Sequence, residues 1–299
     1  MKTDKQKFIA VGLGEVLWDI LPRDKKLGGA PTNFAYHANS LGAQGWLISA
    51  VGKDALGDEI LENVDRLNLN RDFVCVNRDH PTGTVTVELD ANGDPDYIIH
   101  ENVAWDFIPS NGELLKFAST VDVVCFGLLC QRSEVSRTTV REFLCETRDS
   151  CIRIFDVNIR QHYYSKVIIE ELLGLSSVLK LNDEELPVVT NLLGLDGSAY
   201  HVLRELLTRF SLKLIVLTKG ADGSMLLGNG FKSVIHAEPV DVADTVGAGD
   251  VFTASVAMGL LQNRSLREVH EHANRLATFV CSQVGATPEL PKQLAEYFT

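Results

Sequence analysis

The chain has 299 residues, of which 45% are hydrophobic and 23% are charged, a balance typical of a globular protein. A chain of this length can bury roughly three quarters of its surface in one core without disulfides. Its 28 Lys and Arg against 40 Asp and Glu give a net charge of −12. This charge argues against nucleic-acid binding, which needs a broad basic face, but a small anionic ligand could still meet a few donors concentrated in one cleft.

The six cysteines include no CxxC pair, and several lie in apolar runs. We therefore expect reduced core thiols in a cytoplasmic protein, with a zinc site as the alternative. The apolar run after Lys7 is interrupted by Glu15 and Asp19, so neither a signal peptide nor a membrane helix is predicted there.

Apolar, β-branched runs alternate with amphipathic stretches along the chain. A helix is predicted over 33–41, between Pro31 and Gly42, and two apolar stripes at helical spacing begin at Ile60 and Val202. This alternation predicts a three-layer α/β/α sandwich with a mostly parallel central sheet. The predicted buried strands span 8–13, 46–51, 121–126, 152–157, 178–181 and 214–218.

One region departs from this alternation. Residues 82–89 alternate with period two, Asn92-Gly93 is typical of a tight turn, and the alternation resumes at 97–100, which predicts a β-hairpin. With the segment 17–27 the hairpin could form a small β-lid, built from about 15–30 and 82–106. We expect a single domain over 1–299 that carries this lid.

The most informative motif is 244–250, Asp-Thr-Val-Gly-Ala-Gly-Asp, at a predicted strand-to-helix turn. Gly247, Ala248 and Gly249 would let backbone N–H groups surround an anion at the helix N-terminus. Asp250 follows in the first helical turn, where it could accept a hydroxyl proton during phosphoryl transfer. The alternative is a tight turn in which Asp250 only complements the helix dipole.

Three further polar segments follow or flank predicted strands, at the edge where open α/β sheets bind ligands. They are 28–33 (GGAPTN), 182–185 (NDEE) and 218–223 (TKGADG). The P-loop motif GxxxxGK[ST] is absent from the sequence, and the glycines at 12 and 14 lack the third glycine of a dinucleotide fingerprint. A nicotinamide-dependent oxidoreductase is therefore a weak rival.

With 28–33, Gly42 and 51–57 near the start and 244–250 near the end, the sequence resembles the PfkB (ribokinase-like) family of carbohydrate kinases over essentially its whole length. Residues 14–19 and 155–160 look most like those of fructokinases. The resemblance implies that the γ-phosphoryl group of ATP is transferred, with Mg²⁺, to a primary hydroxyl of a sugar. Fructose is the preferred sugar. The resemblance leaves open ribose, a 2-keto-3-deoxy acid or a nucleoside, and a non-catalytic sugar-sensing module is a rival of another class.

The resemblance also implies roles for single residues. Asp250 would be the general base, with the amides of Gly247, Ala248 and Gly249 holding the transition-state charge. Substrate hydroxyls would be bound by Asp19, Gly28, Gly29 and Asn33. ATP would be bound by Arg160, Asn182, Thr218, Gly220, Gly223 and Asn274. Asn182 and Glu185 would organise Mg²⁺ through water, and Asp244 and Val246 match positions that hold a monovalent cation, such as K⁺, in some members.

Several of these residues have simpler interpretations. Asn182 and Glu185 could cap a helix, Arg160 could be a surface residue, and Asp19 could serve a turn. Where many fructokinases carry a substrate-directed arginine in the flap, this sequence has Glu101 after 97–100, which leaves the identity of the sugar open. Exposed strand edges of the lid also predict a homodimer that pairs through it.

Overall fold

A computed structural model describes residues 7–21, 24–89 and 95–298. Its centre is a nine-stranded sheet with the order β13-β12-β11-β10-β9-β8-β1-β4-β5, numbered along the chain. In this order, all neighbouring strands between β11 and β5 pair in parallel. The pairs β11–β12 and β12–β13 are antiparallel. The strands are β1 (Ile9–Leu13), β4 (Gln44–Gly52), β5 (Asn70–Asn77), β8 (Val123–Phe126), β9 (Ile152–Asp156), β10 (Val178–Asn182), β11 (Leu214–Thr218), β12 (Ser224–Gly228) and β13 (Phe231–Ile235).

Helices cover both faces of this sheet, because alternate residues of each buried strand point to opposite sides. Ala10 packs with the α1, α8 and α9 side, whereas its neighbour Val11 packs with the α4, α5 and α7 side. The three-layer α/β/α prediction is confirmed. The helices are α1 (Ala30–Ser40), α2 (Ala55–Arg66), α3 (Gly112–Ala118), α4 (Glu134–Glu146), α5 (Lys166–Leu175), α6 (Glu185–Leu193), α7 (Ala199–Arg209), α8 (Ala248–Leu261), α9 (Leu266–Cys281) and α10 (Lys292–Ala295).

The predicted lid is a separate four-stranded sheet with the order β3-β2-β6-β7. Strands β2 (Leu17–Leu21) and β3 (Asp24–Gly28) are inserted between β1 and α1, and β6 (Gly83–Leu89) and β7 (Pro95–Ile99) form the hairpin. The expected turn at Asn92-Gly93 lies outside the described residues. Both insertions leave the main sheet at the edge where its parallel strands end, so the lid lies near that edge.

One expectation needs correction. Of the six free cysteines, Cys125, Cys130 and Cys151 are buried, but Cys145 is exposed on α4 and is not a core residue. Helix α8 is buried from Val251 to Gly259 on all sides, because α1 and α9 enclose it. Along the described part of the chain, no helix is long and apolar enough to cross a membrane.

Candidate active site

The turn that opens α8 is shaped to hold an anion. Gly247 has a φ of 84°, and a Cβ there would lie 2.3 Å from the carbonyl oxygen of Ala286, so only glycine fits. The amide of Ala248 makes a long 3.4 Å contact with the carbonyl of Thr245, and that of Gly249 lies in the first turn, where helical partners are lacking. The turn therefore opens a helix as predicted, but it follows an irregular segment after β13 (Phe231–Ile235) rather than a strand. That this turn, which we call the anion turn, holds an anion stays a prediction.

Asp250 is held beside this turn by a residue of α1. Nδ2 of Asn33 donates a 2.7 Å hydrogen bond to Oδ2 of Asp250. Burial and the nearby carboxylate of Asp156 raise the pKa of Asp250 to about 6, against the opposing effects of Asn33 and Lys180. Such a carboxylate is mostly ionised at neutral pH and still basic enough to accept a hydroxyl proton.

A buried ion pair that the sequence analysis missed lies beneath the anion turn. Nζ of Lys180 lies 2.8 Å from Oδ1 of Asp156, and both side chains are more than nine-tenths buried. A Cβ on Gly249 would lie 3.2 Å from the same Nζ. Burial alone would lower the pKa of Lys180, but the carboxylates of Asp156 and Glu185 outweigh it and raise that pKa. The site thus contains a permanent positive charge, signalled in the sequence by a lysine inside the apolar run 178–181.

Glu15 is a second missed residue. It follows β1, is 3% exposed, and its Oε2 has no hydrogen-bond partner. Burial raises its pKa to about 7, with Arg160 opposing this and Asp250 adding to it. The sequence signal was an acid in an apolar run, which we interpreted as evidence against a membrane helix and as part of the fructokinase-like segment 14–19, without giving Glu15 a role in the site.

The predicted sugar-binding residues line the junction between the lid and α1. Asp19 lies on β2 directly opposite Lys26 of β3, and a Cβ on Gly28 would lie 2.6 Å from Oδ2 of Asp19. Burial raises the pKa of Asp19, although Arg160 and Lys26 oppose this rise. Gly29, with a φ of 115°, is the N-cap of α1 and turns the chain from the lid to the helix that carries Asn33.

Arg160 lies in the loop after β9 and is exposed. Its Nη1 donates to the carbonyl oxygen of Ile159 at 3.1 Å. Its charge opposes the raised pKa values of Glu15, Asp19 and Asp250, so it lies close enough to act on all three carboxyl groups. The predicted contact between Arg160 and ATP remains a prediction.

The loop that carries Arg160 also contacts the end of the lid hairpin. Nε2 of Gln161 donates to the carbonyl oxygen of Tyr97 at 2.7 Å, and the hydroxyl of Tyr163 donates to Oε1 of Glu101 at 2.7 Å. The carboxylate of Glu101, which the resemblance aligns with the flap arginine, is therefore hydrogen-bonded to the main body of the protein. We call these two hydrogen bonds the lid contact.

Asn182 and Glu185 form a reciprocal cap at the start of α6. Oδ1 of Asn182 accepts from the amide of Glu185 at 2.8 Å, and Oε2 of Glu185 accepts from the amide of Asn182 at 2.8 Å. Oε1 of Glu185 accepts from the amide of Ile159 at 2.9 Å. Oδ1 of Asn182 also accepts from the amide of Glu184 at 3.0 Å, so both of its lone pairs are used. Each oxygen of Glu185 keeps a second lone pair, so Glu185 fits Mg²⁺ held through water rather than by direct ligation. Within the described ranges no cluster of three or more metal-binding side chains occurs.

The other predicted nucleotide residues fall into two groups. Thr218 is the neighbour of Asn182 across the β10–β11 pair, and Gly220 and Gly223 shape the loop that follows it, both with positive φ. Asn274 lies on α9, where its Oδ1 accepts from Ser224 and its Nδ2 donates to the carbonyl of His270. The amide of Asn274 is therefore engaged in packing α9 against β12.

Asp244 and Val246 do not fit a bound monovalent cation as they are arranged here. Oδ1 of Asp244 accepts from the amide of Val246, and Oδ2 accepts from the amide of Gly285, each at 3.1 Å. Nζ of Lys26 lies 3.3 Å from the same Oδ2. Each carboxylate oxygen of Asp244 therefore already accepts from a donor, and Oδ2 faces an ammonium that would repel a cation.

A half-buried carboxylate beside a helix N-terminal turn, at the carboxyl edge of a parallel sheet and under a lid, defines a phosphotransferase with an alcohol acceptor. The model of the pfkB family carbohydrate kinases matches residues 23–293, and the chain belongs to this family.

Relatives match most of the length of the chain at modest identity. The chain is 28% identical to a sugar kinase of Pyrococcus horikoshii over 93% of this chain and 88% of that one. It is 27% identical to a fructokinase of Salmonella typhimurium, over 84% of each chain. It is also 27% identical to a mouse ribokinase, over 88% of this chain and 81% of that one. The crystal structure of the uncharacterized P. horikoshii sugar kinase with ATP superposes with a TM-score of 0.80 at 25% identity, over 97% and 99% of the two chains.

Proposed function

We propose that this carbohydrate kinase transfers the γ-phosphoryl group of ATP to a primary hydroxyl of fructose. The observation that carries the proposal is Asp250, a carboxylate with a pKa of about 6, held by Asn33 beside an anion turn. Fructose is preferred because the Salmonella relative is a fructokinase and residues 14–19 and 155–160 look like those of fructokinases. Ribose is the second candidate, since the mouse ribokinase is equally identical to the chain.

In this proposal Asn33 both holds Asp250 and contacts the sugar. Asp19 and Asn33 orient the sugar, and Asp250 accepts the proton of the attacking hydroxyl. The amides of the anion turn and the ammonium of Lys180 stabilise the charge on the transferred phosphoryl group. The lid excludes water from the cleft, which limits the loss of ATP to hydrolysis.

ATP and Mg²⁺ are the cofactors that this reaction requires. Thr218, Gly220, Gly223 and Arg160 are the proposed nucleotide contacts. Mg²⁺ would shield the phosphate charge, with Asn182 and Glu185 orienting its water ligands. We further propose a cytoplasmic protein, in line with its six free thiols, and a homodimer through the edge strands β3 and β7 of the lid.

Coupled measurement of ADP formation across a panel of fructose, ribose, glucose, a 2-keto-3-deoxy acid and a nucleoside tests the proposal. We expect the highest kcat/KM with fructose. Turnover of ribose alone would select the second candidate. Tight sugar binding without turnover of any compound would instead indicate the sugar-sensing module.

A further inference from the structure

Lys26 reaches from the lid to the carboxylate that precedes the anion turn. Its Nζ lies 3.3 Å from Oδ2 of Asp244, a residue 218 positions later in the chain. The Asp244 side chain is 17% exposed. Its oxygens also accept from the amides of Val246 and Gly285. The Asp244 carboxylate therefore faces a lysine ammonium at this point.

We propose that the ammonium of Lys26 takes the place of a monovalent cation at Asp244, so that the enzyme works without K⁺. The inference rests on the proposed kinase function. The ammonium carries the same single positive charge as K⁺ but is covalently tethered, and its N–H groups must meet acceptors. Oδ2 of Asp244 accepts from both Lys26 and the amide of Gly285, and Oδ1 accepts from the amide of Val246, so the ammonium and the two amides share one carboxylate.

The charge matters because of where Asp244 lies. Its carboxylate binds the amide of Val246, which directly precedes Gly247 of the anion turn. An unbalanced carboxylate at this place would repel the phosphates of an incoming nucleotide. Lys26 removes that repulsion while leaving the amide contacts that shape the turn.

The lid delivers this charge together with the sugar site. Lys26 lies directly opposite Asp19 in the β2–β3 pair, and its charge acts on the pKa of Asp19. The strand pair β2–β3 of the lid thus carries both Asp19, which is proposed to bind the sugar, and Lys26, which balances the charge of Asp244. The position of the lid over the cleft therefore determines the positions of both Asp19 and Lys26.

The adjacent Lys25 provides a matched control. Its Nζ pairs with Glu59 and lies 4.9 Å from the centre of the Trp18 ring, so it serves the opposite face of the same strand. Lys25→Met and Lys26→Met change the net charge equally, at neighbouring positions of β3.

The experiment measures kcat and the melting temperature of the wild type and both variants in KCl and in choline chloride at equal ionic strength. We expect the wild type and Lys25→Met to show less than about a twofold difference in kcat between the two salts. Lys26→Met should lose about tenfold in kcat in choline chloride, equivalent to about 1.4 kcal/mol, and regain most of it in KCl. K⁺ should also raise the melting temperature of Lys26→Met alone, by about 2 °C.

Strong activation or stabilisation of the wild type by K⁺ would overturn the proposal, and this result needs no variant. So would a Lys26→Met protein that behaves like Lys25→Met in both readouts. The melting temperatures report on the cation site even if no sugar is turned over. Failure of the proposed reaction is therefore distinguishable from failure of this inference.

Discussion

Nδ2 of Asn33 lies 2.7 Å from Oδ2 of Asp250, so two residues 217 positions apart share one hydrogen bond at the proposed catalytic centre. This bond ties α1, which begins where the lid ends, to the first turn of α8. Oδ1 of Asn33 has no protein partner. The orientation of the base thus depends on the helix that also receives the lid strands.

Asn33→Ala should reduce kcat/KM by about tenfold to a hundredfold, since it removes both the orienting donor and a proposed sugar contact. It should also move the acidic limb of the pH profile upward, because Asn33 lowers the pKa of Asp250. Steady-state kinetics between pH 5 and 8 measure both effects. An unchanged pH profile would contradict the assigned hydrogen bond.

The two partners of the buried ion pair should shift the pH profile in opposite directions. Asp156 raises the pKa of Asp250 and Lys180 lowers it. Asp156→Asn should therefore move the acidic limb of kcat/KM below pH 6, and Lys180→Met should move it above, each by about half a unit to one unit. If the ion pair only stabilised the fold, the two variants would not shift the acidic limb in opposite directions.

Folding needs its own control in this series, because Lys180→Met leaves Asp156 buried without a partner, which costs about 3–5 kcal/mol. The double variant Asp156→Asn/Lys180→Met removes both charges and should recover part of that stability. Chemical denaturation of the single and double variants measures the recovery.

Glu15→Gln should stabilise the protein at pH 8 and have little effect at pH 4.5. The pKa of Glu15 rises from 4.5 to about 7 on folding. The stability that comes from keeping Glu15 protonated in the folded state is therefore fully present below pH 4.5. It falls as the pH rises and is lost above about pH 7, where the free energy of unfolding is lower by up to about 3 kcal/mol. Denaturation curves of wild type and variant at the two pH values test this. An equal effect at both would show that the carboxyl is ionised throughout.

Tyr163→Phe removes one hydrogen bond of the lid contact without changing packing. We expect a rise of about threefold to tenfold in the KM for sugar and little change in melting temperature, since Glu101 is exposed and such a bond contributes about 1 kcal/mol. A lowered kcat with an unchanged KM would instead place the contact in the chemical step.

The sequence predicted the sheet, the lid and the anion turn because each has a local signal, such as the apolar run 214–218 that became β11. Asn33 and Asp250 were both identified, but only the resemblance indicated that they meet. Lys180 and Glu15 were missed because a charge in an apolar run looks like an interruption until its buried partner or the cleft beside it is known. Edge strand β5 was missed because its residues are mostly exposed or half-buried and lack a continuous apolar run.

Single-turnover transfer from ATP to fructose by the wild type and by Asp250→Asn tests the central claim most directly. We predict that the wild type forms a fructose phosphate ester, and that Asp250→Asn forms it about a thousandfold more slowly while binding ATP with similar affinity. An Asp250→Asn protein that keeps most of the wild-type rate would contradict the assignment of Asp250 as the base.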